Sequence, residues 1–513
     1  MLFNSYEFIF FFLPLVLLFF HILNFLGFYK ARILYLVATS LLFYCYWKPS
    51  YFILIIISIS INYLLSNTVE VITAARKIIL AIGLIFNLGL LAYYKYTGFF
   101  VSIINTIANT EFKVSVIILP LAISFFTFQQ IAYLIDRYKG LVEKTSFLHY
   151  CLFVTFFPQL IAGPIVHHKE MMPQFNRPAN LSSYAKFFSL GITFFFIGLF
   201  KKVILADNLA QFATPVFEAA TNGAILTFFE AWFGVLAFTF QLYFDFSGYS
   251  DMAVGAACMF GIRLPINFYS PYQAANIVEF WKRWHVTLSR FFRDYLYIPL
   301  GGNRKGKLRT LANLIITMVL GGLWHGAGWT FVIWGGLHGI FLVVNHSWSK
   351  LFQTRTGGWR FYFTQVLSRN ITFLAVVVAW VFFRSNSLET AVQILKAMTG
   401  GNHFVLPVNL TDYVPSFGGL IEFKGYTLGS ITEPMVVIGW IIISYIIVMY
   451  LPNTSQLLNY VEGLDSKFFE TESSRWDKIK WKPNLLWVFF ILVLALSSVL
   501  TLHNVSEFLY FNF

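Results

Sequence analysis

The sequence predicts an all-α polytopic membrane protein, and three observations carry that reading. Apolar residues make up 58% of the 513 and only 12% are charged, about half the charge of an ordinary soluble domain. Apolar stretches of about 20 residues, the length a helix needs to cross the hydrocarbon, recur from one end to the other. The positive charges are also segregated. Candidate spans fall near 8–27, 33–47, 51–65, 78–94, 114–135, 187–206, 225–246, 370–384, 433–451 and 484–502. With the N-terminus outside, the connections at 28–33, 66–77, 136–146, 167–186, 247–310, 346–369 and 452–483 lie inside and hold 28 of the 36 Lys and Arg. The positive-inside rule therefore places both termini outside the cytoplasm.

That topology also accounts for the net charge of +13, so no nucleic-acid partner is needed to explain it. Met1–Phe20 carries Glu7, has no Lys or Arg and offers no small-residue cleavage site. It reads as the first span, not as a cleaved signal. Cys45, Cys151 and Cys258 lie in apolar segments without disulfide or metal spacing. No soluble domain and no internal repeat interrupts the chain, so residues 1–513 are expected to form a single membrane-embedded domain.

The longest cytoplasmic connection, 247–310, contains a run with helical periodicity. Phe280, Trp284, Leu288, Phe291, Tyr295 and Leu296 share one face, and Lys282, Arg283, Arg290 and Arg293 fill much of the rest. This predicts one amphipathic helix against the membrane surface, ending near Pro299–Gly302. Its basic side suits an anionic acyl donor such as acetyl-coenzyme A, with Arg283 and Arg290 as the binding candidates, and equally suits anionic lipid headgroups.

Two regions, 147–166 and 311–345, are irregular and are predicted to be re-entrant or hairpin elements. Leu311–Trp324 is apolar but only about 21 Å long as a helix, short of the ~30 Å core. It breaks at GGLWHGAGW, where Gly321, Gly322, Gly326 and Gly328 bracket His325. Irregular backbone at membrane depth needs protein or a water-filled cavity around it, so His325 is expected in a cavity. An ionisable residue there is either a functional group or a hydrogen-bonded packing histidine.

No pair of the ten histidines has the spacing of a zinc motif, so no metal is expected, and His167-His168 reads as a solvated pair in a basic loop. His285, in WKRWH, could share a tunnel with His325. A histidine of near-neutral pKa there can take the proton of a hydroxyl attacking an activated acyl group. N–H groups of the Gly-rich turn are candidates for holding the developing oxyanion. Neither a Gly-x-Ser-x-Gly elbow nor a P-loop is present, which argues against a serine esterase and an ATP-driven pump in this chain.

With those residues identified, the chain resembles the membrane-bound O-acyltransferase (MBOAT) superfamily, and within it the bacterial proteins that O-acetylate alginate, peptidoglycan and cellulose. PQLIAGPI (158–165), YFDFSGYSDMA (243–253), FWKRWHVTLSRFFRDYLYIPLGGNR (280–304) and GGLWHGAGWTFVIWGGLHG (321–339) carry the likeness. The resemblance implies an MBOAT-type fold of about 11 spans plus re-entrant helices around a central tunnel. It implies a catalytic histidine at His325 and a second at His285. It further implies that an acyl group enters from the cytoplasm, crosses a bacterial inner membrane and is completed onto a polysaccharide by an extracytoplasmic esterase-like partner. An alginate-type exopolysaccharide is the first acceptor expected; peptidoglycan, a lipid or a protein are alternatives. A non-enzymatic transporter is the rival class, since transporters also contain broken helices.

The last residues, SEFLYFNF (506–513), look like the aromatic tail of this subgroup, which the topology places outside within 503–513. Tyr510 is either an interfacial anchor or a hydroxyl that accepts the acyl group and passes it on.

Overall fold

A computed structural model describes the chain except for residues 116, 162, 177–180, 352–358, 403, 407–410, 412–420, 424–433, 464–473, 503–508 and 510–513. The regular structure of the described residues is helical, apart from a parallel strand pair, Phe404–Leu406 with Ile421–Phe423. Among the described residues, six helices are long and apolar enough to cross a membrane: Glu7–Phe25, Tyr51–Val71, Arg76–Ala108, Tyr184–Thr221, Lys307–His325 and Phe363–Arg384. Met435–Tyr450 and Leu485–Leu500 are shorter apolar helices. In lipid a helix satisfies its own backbone polar groups, which is why apolar runs of this length settle as helices.

The chain forms two compact units. One comprises 1–200, 248–267 and 454–512; the other comprises 201–247, 268–453 and 513.

The core of the first unit begins with phenylalanines. Phe3, Phe8, Phe12, Phe43 and Phe157 are all buried, with neighbouring ring centres 4.6 to 6.0 Å apart. Polar side chains stitch its helices together, as packing within lipid favours. Asn62 and Asn87 exchange amide hydrogen bonds of 3.2 and 2.6 Å, and Gln130 donates to Ser58 Oγ at 2.9 Å. Small residues set the closest approach. A Cβ on Gly198 would lie 2.5 Å from the Gly248 carbonyl oxygen, and one on Gly191 would lie 2.6 Å from that of Gly255. The glycines of FDFSGYSDMAVGAA thus serve a backbone-to-backbone contact.

The second unit holds Asp207–Thr221, Ile277–Arg283, Val286–Phe292, Lys307–His325, Trp329–Leu351, Trp359–Arg384 and Pro434–Tyr450. Lys307–His325 and Trp329–Leu351 form a hairpin whose helices touch through glycine. A Cβ on Gly335 would overlap the Met318 carbonyl, and one on Gly322 the Phe331 carbonyl.

Three expectations are corrected. The connection expected at 247–310 does not begin at 247, because FDFSGYSD lies inside one helix, Phe228–Met259. For 311–345 the hairpin alternative holds, but its first helix is not the short piece expected, because Lys307–Thr310 add a turn and it reaches His325, about 28 Å in all. The basic amphipathic helix is not continuous. It stops at Arg283 and restarts at Val286 across a left-handed His285, φ 45°. That break packs Phe280, Trp284 and Leu288 inside the unit and buries Arg283 as well. Periodicity counted through the break could not register it.

Candidate active site

Two interruptions of regular helix bring the predicted histidines together. His285 sits in the left-handed region, a conformation that costs a non-glycine residue energy and persists only when its surroundings impose it. Here Phe246 meets the His285 ring edge-on at 4.8 Å and 89°, and Phe268 lies 6.3 Å away. His325 is the last residue of its helix. Gly326 follows in an extended conformation, φ −158° and ψ 149°, so the chain leaves the helix axis immediately after the imidazole.

The two rings are centred 6.5 Å apart. His285 is 0% exposed and His325 5%. Aromatic rings close around them: Trp324 at 5.0 Å, Trp334 at 5.1 Å and Phe383 at 5.4 Å from His325. Burial disfavours the charged imidazole and lowers the His285 pKa to about 3. His285 is therefore neutral at physiological pH, fit to give or take a hydrogen bond and poorly fitted to hold a proton.

The two arginines differ. Arg283 is buried, and its guanidinium is occupied by Glu279, with Nε and Nη2 donating to Oε1 at 3.0 and 2.7 Å, and by the Tyr269 carbonyl at 3.4 Å. Asn276 caps the same short helix by accepting the Glu279 N–H at 2.9 Å. Arg290 is half-buried. In the Gly-rich turn, the Gly326 N–H donates to Gly322 O at 3.3 Å and the Gly328 N–H to Gly326 O at 3.1 Å. Tyr510 lies outside the described residues.

Sequence reasoning overlooked several neighbours of the pair. Trp334 stands between His325 and a third histidine, His338, whose ring is 4.9 Å from the indole and 0% exposed. Both are on the helix that follows the turn, one turn apart, a spacing that could have been noticed. Phe246, the ring against His285, is flanked by Asp245. The Lys202 ammonium reaches Asp245 at 2.6 Å and Asp207 at 2.9 Å, with Lys202 and Asp245 both sealed from solvent. A lysine inside an apolar span demands such partners, so Lys202 was itself the signal.

A buried histidine pair carried by broken helices in a multi-pass membrane protein defines, together with the following likenesses, a membrane-bound acyltransferase. Residues 138–384 match the model of the MBOAT, membrane-bound O-acyltransferase family. The chain is 43% identical to the peptidoglycan O-acetyltransferase of Helicobacter pylori over 100% of its own length and 98% of that protein's. It is 40% identical to the probable alginate O-acetylase AlgI of Pseudomonas aeruginosa, over 78% of this chain and 75% of the other. A more distant likeness, 31% over 46% of this chain and 58% of the other, is to the teichoic acid D-alanyltransferase of Streptococcus thermophilus. The chain belongs to the membrane-bound O-acyltransferase family.

Proposed function

We propose that this protein takes an acetyl group from a cytoplasmic thioester, with acetyl-coenzyme A as donor, and delivers it across the bacterial inner membrane for O-acetylation of peptidoglycan. The observation that carries the chemistry is the 6.5 Å approach of His285 and His325 inside one aromatic shell. The end-to-end likeness to a peptidoglycan O-acetyltransferase favours that acceptor over alginate, whose relatives align with 78% of the chain. The excess of Lys and Arg in the connections assigned to the cytoplasm supports donor entry from that side and termini on the other.

In this reading His325 is the general base. It takes the proton of the attacking hydroxyl as the oxygen bonds to the thioester carbonyl; the tetrahedral intermediate then collapses, and the thiolate leaves with the proton returned. His285, held neutral by burial, positions the reacting carbonyl through a hydrogen bond. Because Gly326 and Gly328 N–H groups already have acceptors, the oxyanion role in the turn falls to the Ala327 N–H. Arg290 is the better candidate for the donor's anionic end, since it is only half-buried whereas Arg283 is sealed from solvent. An extracytoplasmic esterase-like partner completes transfer to the polymer, with Tyr510 as the intermediate acceptor.

Deleting the gene in its own host and assaying base-released acetate separately from purified peptidoglycan and from exopolysaccharide tests the acceptor. Loss confined to peptidoglycan is the expected result. Loss confined to exopolysaccharide sinks the acceptor assignment, and unchanged acetate in both sinks the transferase reading in favour of transport.

A further inference from the structure

Asp136, His167 and His168 converge in the first unit, remote in sequence from the histidine pair. Asp136 closes the helix Ile123–Tyr138, and the two histidines start the short turn His168–Met171. His167 Nε2 is 2.8 Å from Asp136 Oδ2, and His168 Nε2 is 3.8 Å from the same oxygen. One ligand atom from each residue lies within 4.8 Å of the other two.

His168 is not the solvated residue its basic loop implied. It is 3% exposed, held edge-on by Tyr133 at 5.5 Å and Phe153 at 6.5 Å. Neither of its ring nitrogens has a hydrogen-bond partner. A buried polar atom left without a partner is unfavourable, and His168 Nε2 stands next to a carboxylate oxygen too distant for a hydrogen bond. Around an ion with bonds of 2.0–2.2 Å, tetrahedral ligand atoms stand about 3.4 Å apart. The separations of 2.8 and 3.8 Å bracket that value.

We propose that Asp136, His167 and His168 form a binding site for a divalent transition-metal ion. Two imidazoles and one carboxylate suit zinc, leaving a fourth position for water, and the same donor set accepts cobalt(II). The His167 Nδ1 accepts the Lys169 N–H at only 3.4 Å, so binding moves the ring proton from Nε2 to Nδ1 at the expense of one long contact. The ion ties the end of the Ile123–Tyr138 helix to the loop ahead of Met172. Three residues from two elements then share one bond centre.

The test uses the full-length protein in detergent, purified without a polyhistidine tag and stripped with chelator. Titration with Zn2+ should bind one equivalent and raise the thermal midpoint, and Co2+ should produce the intense visible bands of a four-coordinate site. H168A and D136N should each weaken zinc binding by at least ten-fold. Because H168A removes a buried ring and D136N alters a buried carboxylate, H167Q at the partly exposed ligand is the third variant. It should lose zinc binding while its metal-free midpoint stays that of the stripped wild type. H149Q, outside the cluster, should bind as wild type does. Absence of a stoichiometric ion in the wild type, or zinc affinity indifferent to H167Q, overturns the proposal and leaves a His–Asp hydrogen bond only.

Discussion

The imidazoles of His285 and His325 face each other at 6.5 Å and 62°, one at a left-handed break and the other at a helix end. His325→Ala should lower acetyl transfer by 10²-fold or more, the scale of a lost general base. His285→Ala should lower kcat with a smaller change in KM. If the two act on one reacting centre, the double variant should be little worse than His325→Ala alone. Purified variants assayed with a thioester donor, with protein amounts matched, give the comparison. Multiplicative losses would show that the two rings act independently.

Tyr510→Phe deletes one hydroxyl and keeps the ring. If that phenol carries the acetyl group outward, polymer acetate should fall nearly as far as in His325→Ala, with the protein level unchanged. Normal polymer acetate would leave Tyr510 an anchor.

Lys202 and Asp245 form a sealed ion pair at 2.6 Å. Removing one partner strands the other charge, at a cost of about 3–5 kcal/mol for a buried pair. Lys202→Met should therefore lower the thermal midpoint in detergent sharply. Lys202→Met with Asp245→Leu should recover part of it, since a matched apolar pair strands fewer charges, although Asp207 still loses its partner. Activity should fall as well, because Phe246, next to Asp245, supports the His285 ring. A single variant as stable as wild type would contradict the pairing.

Burial lowers the pKa of His285 to about 3, against about 6.5 in an unfolded chain. Between those values the unfolded state binds more protons, so stability rises with pH. The contribution is complete above about 6.5 and is lost as pH falls toward 3. Unfolding of the wild type should thus become easier from pH 7 to pH 5. His285→Gln should reduce that pH slope, whatever its stability at pH 7. An unchanged slope would mean that His285 is already charged in the folded protein.

Adjacent glycines give a paired test of the hairpin. Gly335→Ala would drive a methyl into the Met318 carbonyl, whereas Gly336 has nothing within 4 Å of its added Cβ. Overpacking costs about 1–3 kcal/mol, and a backbone carbonyl cannot swing away. Gly335→Ala should lower the midpoint and the activity, and Gly336→Ala should leave both intact. Equal behaviour would show that the helices are farther apart than described.

Class, membrane character and the helix break at His325 were legible in the chain, because they depend on local quantities. Runs of apolar residues set helix length, and Gly326 and Gly328 after His325 mark the break in the pattern where an ionisable ring sits. The left-handed turn at His285 was not legible: helical periodicity runs on through Trp284 and Leu288, and the interruption is imposed by Phe246 and Phe268 packing on the ring. Arg283 looked like a free cation because its partner is a turn away on a helix whose burial no local pattern discloses. Lys202 shows the division most clearly. Its presence in an apolar span required a counter-charge, but only the folded chain decided that Asp245, inside FDFSGYSD, supplies it at 2.6 Å. A sequence specifies which groups must be neutralised or buried; the partner of each is settled by long-range packing, where every helix meets several others at once.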